Sequence, residues 1–145
     1  MKTFVISAVS IVLVSILFCP MVMAAPSMPD GLQMVQPDPS LPKELSAFFG
    51  KWEGTGNPHG RQIQYFLIVE KIDEEKASLY FWDFGPELSA AVWGRYEVKV
   101  RKEGGKYKIY FGSRNGRCEL TLKGEALKLE RVGNITESVR LKRVP

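Results

Sequence analysis

The stretch WGRYEVKVRKEGGKYKIYFGSRNGRCELTLK, residues 93–123, alternates apolar and polar side chains with a period of two. That period places successive residues on opposite faces of an extended chain, whereas a helix would repeat its apolar positions every three or four residues. Tyr96, Val98 and Val100 fall on one face, and Arg95, Glu97 and Lys99 on the other. Glu103-Gly104-Gly105 turns the chain, and Lys106 to Phe111 resumes the pattern through Tyr107, Ile109 and Phe111. Gly112 to Gly116 turns it again into Arg117–Lys123, where Cys118, Leu120 and Leu122 share a face. Short alternating runs joined by glycine turns predict antiparallel hairpins.

The same reading extends in both directions. Upstream, Leu41 to Phe49 reads as a short helical turn, with proline near its start and Gly50 after its end. Lys51–Thr55, Arg61–Ile72 and Lys76–Phe84 follow as strands, with Ile63, Tyr65, Leu67 and Val69 on one face. Downstream, Ala126–Val132 carries Leu127 and Leu129 inward, and Ser138–Val144 carries Val139 and Leu141. The total is eight strands, and only the connection after Phe84 is long. Sequential hairpins with one polar face predict an all-β, eight-stranded antiparallel up-and-down barrel, which removes exposed sheet edges. A two-sheet sandwich is the competing architecture, but it ordinarily needs more long crossing connections.

Composition bounds the function. With 145 residues the chain has room for one ordinary domain, and its 25% charged and 11% aromatic content matches a globular chain. Residues 1–25 read as a cleaved export signal: Lys2, the apolar run Phe4 to Phe18, then Val22-Met23-Ala24 for a peptidase. The expected location is therefore secreted or periplasmic. Residues 26–42 carry Pro26, Pro29, Pro37, Pro39 and Pro42 and read as a solvated linker, leaving 43–145 as the barrel domain. Cys118 is then the one cysteine of the mature chain, so no internal disulfide is expected.

The short helical turn followed by Gly50-Lys51-Trp52 at the head of eight strands resembles the calycin superfamily, lipocalins in particular. The resemblance implies a tryptophan at the closed base of the barrel, beneath a basic side chain from the last strand. Arg143 has the inward parity of Val139 and Leu141 and is the expected cover for Trp52, with Arg140 the alternative if the register slips by one. Gly50, Trp52 and Arg143 are thus structural residues. The barrel region is shorter than a lipocalin's, and an interior this narrow is nearly filled by side chains. The run from Gly50 to Gly56 also resembles nitrobindin-type haem barrels, which bind iron through a late histidine. No histidine follows His59, so no haem and no other cofactor is expected.

With Trp52 at the base, up-and-down connectivity gathers the loops after Thr55, Phe84, Gly112 and Gly133 at the open end. The expected function is non-enzymatic binding of a small hydrophobic or amphipathic molecule there. Trp82, Phe84, Trp93, Tyr65 and Tyr96 are the expected ligand wall, and Arg95, Arg114 and Arg117 the residues that orient an acidic head. The plainer reading makes Trp82, Phe84 and Trp93 a hydrophobic plug. No catalytic or metal set is expected: His59 lies in an Asn-Pro-His-Gly loop, Cys118 points inward, and Asp73-Glu74-Glu75 is a solvated turn. Asn134-Ile135-Thr136 is an acceptor sequon.

Charge is uneven: residues 26–93 hold 5 basic and 10 acidic side chains, and residues 94–145 hold 14 and 6. Arg95, Lys99, Arg101, Lys106, Lys108, Lys128, Arg140 and Lys142 form a basic outer wall suited to an anionic protein or membrane surface. The alternative function is accordingly a cavity-filled barrel that binds or inhibits proteins through its loops and this wall. Nucleic acid is not an expected partner, since no nucleic-acid motif accompanies the charge.

Overall fold

The computed structural model describes residues 26–85, 92–134 and 136–145. The expected leader, positions 86–91 of the loop after Phe84, and position 135 of the sequon lie outside the described residues.

The chain folds as an all-β barrel of eight antiparallel strands in up-and-down order. A short helix, α1 (Lys43–Ser46), precedes β1 (Gly50–Gly56), β2 (Ile63–Ile72), β3 (Lys76–Phe84) and β4 (Gly94–Glu103). Then come β5 (Lys106–Ser113), β6 (Gly116–Lys123), β7 (Ala126–Gly133) and β8 (Glu137–Val144), and β8 pairs with β1 to close the sheet. Closure, not a sandwich, disposes of the sheet edges. Gly104 and Gly105, both at positive φ, form the two-residue turn between β4 and β5 whose handedness suits the strand twist.

Facing pairs fix which side chains point inward. Trp52 stands opposite Leu67, Leu67 opposite Phe81, Ile109 opposite Leu120, and Leu120 opposite Leu129. These residues are all but inaccessible and form one core with Tyr65, Val69, Leu79, Phe111, Leu127 and Leu141.

Trp52 and Arg143 meet at the α1 end of the barrel. Trp52 pairs with Arg143 across β1 and β8, and the guanidinium lies 4.3 Å from the ring centroid. Arg143 also donates to the carbonyls of Phe49 (2.6 Å) and Ala47 (2.7 Å), and Trp52 Nε1 donates to Phe48 (3.0 Å). Leu45 and Phe48 thus cap the core from below. Gly50 is required twice, by its φ of +122° and because a Cβ there would meet Arg143 Nη1 at 2.5 Å. Arg140 points outward with Lys128 as its cross-strand neighbour, so the register does not slip.

The segment expected to be a solvated linker is mostly exposed, and it is tied as a strap to Glu70 of β2 and to Trp93 ahead of β4. The register of β2 against β3 skips Glu70, a bulge that frees its carbonyl from the ladder. Val35 N–H donates to that carbonyl (2.8 Å) and Gln33 N–H to the Glu70 carboxylate (3.0 Å). Farther up, Trp93 Nε1 donates to the Ser27 carbonyl (2.8 Å), and Pro29 is buried. Outward-facing Ile68, Tyr80 and Trp82 are buried as well: Trp82 packs with Phe66, Phe84 and Trp93, and Tyr80 with Trp93 and Arg95.

Candidate functional site

The upper half of the barrel interior contains a buried charge cluster. Leu127, Leu129 and Arg131 share the inward parity of β7, so the alternation that builds the core also drives an arginine into it. Its side chain is fully buried. A buried guanidinium is tolerated only when paired, and Arg131 is paired twice. Nη1 donates to Asp83 Oδ2 of β3 (2.6 Å) and Nη2 to Glu137 Oε1 of β8 (2.7 Å). Nη2 also donates to the Tyr65 hydroxyl of β2, which in turn donates to Glu137 Oε1. Asn115 Nδ2, in the turn between β5 and β6, donates to Asp83 Oδ2 (3.1 Å).

Two buried atoms of the cluster lack a hydrogen-bond partner among the described residues: Arg131 Nε, a donor, and Glu137 Oε2, an acceptor. Glu137 packs against Gly56, where a Cβ would collide with Oε2. Burial pushes the Glu137 carboxyl up to about 7, and the arginine beside it is shared with Asp83. Cys118, opposite Arg131 on β6, is fully buried; burial raises its thiol although Ser113 Oγ lies 3.6 Å away and Arg131 acts in the opposite sense.

One wall beside this cluster is open. The ladder between β4 and β5 consists of Val100, Arg101, Lys102 and Glu103 against Ile109, Lys108, Tyr107 and Lys106. From Val100 toward the mouth, no further ladder pair joins the two strands. A groove of about 470 Å³ lies along this parting, where outward-facing Arg95, Glu97, Lys99, Arg101 and Tyr110 meet inward-facing Tyr96, Val98 and Phe111. Inward-facing Tyr96, Val98 and Val100 are half-buried, whereas Leu67, Leu79 and Leu129 on other strands are fully buried. The β1–β8 seam has a short ladder and an outer groove of about 460 Å³ too, but there Gly54 and Gly56 let Leu141 and Val139 approach closely, and both of these inward residues are buried. Tyr96 contacts Phe111 with ring centroids 5.2 Å apart. Its phenol is raised by burial and then by the charge of Asp83, while Arg114 acts the other way, so the open wall borders the cluster electrostatically.

The residues expected to form one ligand wall divide between the two sides of the sheet. Tyr65 and Tyr96 face inward. Trp82 and Phe84 face outward on β3, stacked 5.6 Å apart, with Trp93 6.4 Å from Trp82 and Phe66 5.2 Å from it. Strand parity is the reason: Phe81 and Asp83 take the inward positions, so their even-numbered neighbours cannot. Arg95 is outside as well, bound to Glu70 (2.9 Å) and over the Tyr80 ring. Arg117 is exposed on the outer face of β6 and Arg114 is exposed in the mouth turn, so the three arginines do not converge on one head group. His59 sits on a short 3-10 turn at positive φ. No group of three or more His, Cys, Asp or Glu converges as a metal site among the described residues.

Arg131 and Glu137 were not anticipated. The signal was present: each lies two residues beyond an inward apolar position, Leu129 and Val139, at the mouth end of its strand.

The fold defines a class, the small closed up-and-down barrel. Comparison with known proteins adds no closer assignment, since no family model, no curated protein and no solved structure matches the chain.

Proposed function

We propose that this chain is an exported, non-enzymatic, lipocalin-like barrel that receives a small amphipathic molecule through the parting of β4 and β5. The observation that carries this reading is the partly buried inner face of Tyr96, Val98 and Val100, three consecutive inward positions beside the parting of β4 and β5. Apolar surface left in water at that wall is surface a hydrocarbon chain gains by covering, at about 25 cal/mol per Å². The buried polar cluster lies at the mouth end of the same interior and supplies a polar terminus for the ligand.

A fluorophore that brightens in apolar surroundings tests this. It is expected to bind at one per chain, to lose binding in Val98→Asp, which puts a charge on the wall, and to keep it in Trp93→Ala, which alters only the outer face. Loss in Trp93→Ala with retention in Val98→Asp would contradict the reading and move the ligand outside.

That outcome belongs to the second reading, a protein-binding barrel working through its exterior. It is favoured by one observation: Trp82, Phe84, Trp93 and Arg95 all stand on the outer face, beside the basic strands.

A further inference from the structure

We infer that the polar end of the ligand is an uncharged hydroxyl, so that the barrel selects neutral amphiphiles, such as long-chain alcohols, over the corresponding carboxylates. This rests on the reading of the interior as the binding site and adds the class of ligand.

The inference follows from what faces the cluster on every side. Asp83 comes from β3, Glu137 from β8 and Arg131 from β7. Tyr65 of β2 and Asn115 of the β5–β6 turn are neutral members bonded to them, and β1 contributes Gly56. Cys118 of β6 flanks Arg131 with a raised thiol and Tyr96 of β4 borders Asp83 with a raised phenol, so both are neutral at ordinary pH. Arg114 at the mouth is the other cation within electrostatic reach, and it is exposed to solvent. Two carboxylates therefore already share one buried guanidinium. A carboxylate head entering beside them would add a negative charge with no unshared buried cation to meet it.

A hydroxyl has what the cluster lacks. The unpartnered atoms are one donor, Arg131 Nε–H, and one acceptor, Glu137 Oε2. An alcohol offers both an acceptor for an N–H and a donor for a carboxylate oxygen, the two capacities the cluster leaves unmet, and adds no charge. A carboxylate accepts only and has no hydrogen to donate to Oε2.

Displacement of the bound fluorophore by 1-decanol and by decanoate, equal in chain length, separates the two. At pH 8.5 decanol is expected to displace at least about tenfold more effectively, equivalent to about 1.4 kcal/mol. Decanoate is expected to gain as pH falls from 8.5 to 6, where it is still ionised but Glu137, with its pKa of about 7, takes up a proton. Glu137→Gln is expected to admit decanoate at pH 8.5 and to abolish the pH effect. Should that variant fail to fold, the comparison of the two head groups across pH on the unaltered protein decides alone. Equal or better displacement by decanoate at pH 8.5 would overturn the inference while leaving interior binding intact. A folded protein that binds no fluorophore would overturn both.

Discussion

Trp52 and Arg143 act together at the base, the ring filling the floor of the core and the guanidinium tying β8 to the α1 turn. Trp52→Ala is expected to cost about 3–5 kcal/mol, as for other buried aromatic residues, measured by urea unfolding. Cys118 is expected to resist thiol reagents until the barrel unfolds, because a buried, raised thiol offers no thiolate; rapid labelling of the native protein would contradict its placement. Glu137 gives stability a definite pH slope. Its carboxyl is raised from the ordinary 4.5 to about 7, so between those values the folded state holds a proton that the unfolded state has released. Stability should therefore fall as pH rises through that window, and Glu137→Gln should flatten the slope in unfolding curves taken at intervals. The base was legible in the sequence because Gly50-Lys51-Trp52 carries the resemblance and Arg143 continues the inward row of Val139 and Leu141. Arg131 and Glu137 were not, because a charged residue at the end of such a row looks like the place where the strand stops, and only the partner strands show that it continues inward.

At the scale of elements, the strands were readable because hydrophobic alternation and glycine turns are local properties. The strap was not. Its attachment uses backbone groups of Gln33 and Val35 and a bulge at Glu70, none of which disturbs the side-chain pattern. Glu70 holds three elements at once, accepting from Gln33 N–H, Ser78 Oγ and Arg95. Burial alone would raise its carboxyl, but these donors and the Arg95 charge outweigh that and hold it below the ordinary range. The tie is therefore intact above the usual carboxylate range and lost as pH falls through the depressed value. Glu70→Ala should remove charge-assisted hydrogen bonds worth about 1.5–3 kcal/mol in such settings and speed proteolysis within residues 26–40. Cleavage no faster than in the unaltered protein would show that the strap is held by other contacts.

For the whole molecule, strand parity decides more than composition does. Aromatic residues counted together near one end of the chain pattern are separated by the sheet into an interior pair, Tyr65 and Tyr96, and an exterior group, Trp82, Phe84 and Trp93. The excess of basic residues after position 93 likewise lies mainly on outward rows, with Arg131 the buried exception. The partly exposed inner surface of β4 stands beside a polar cluster that is itself buried. The most direct test is an NMR map of shift changes on titrating the folded protein with the apolar fluorophore. The account predicts a saturable response centred on Tyr96, Val98, Phe111 and Arg131, with the outer face unchanged. A response centred on Trp82, Phe84 and Trp93, with the inward residues silent, would contradict it.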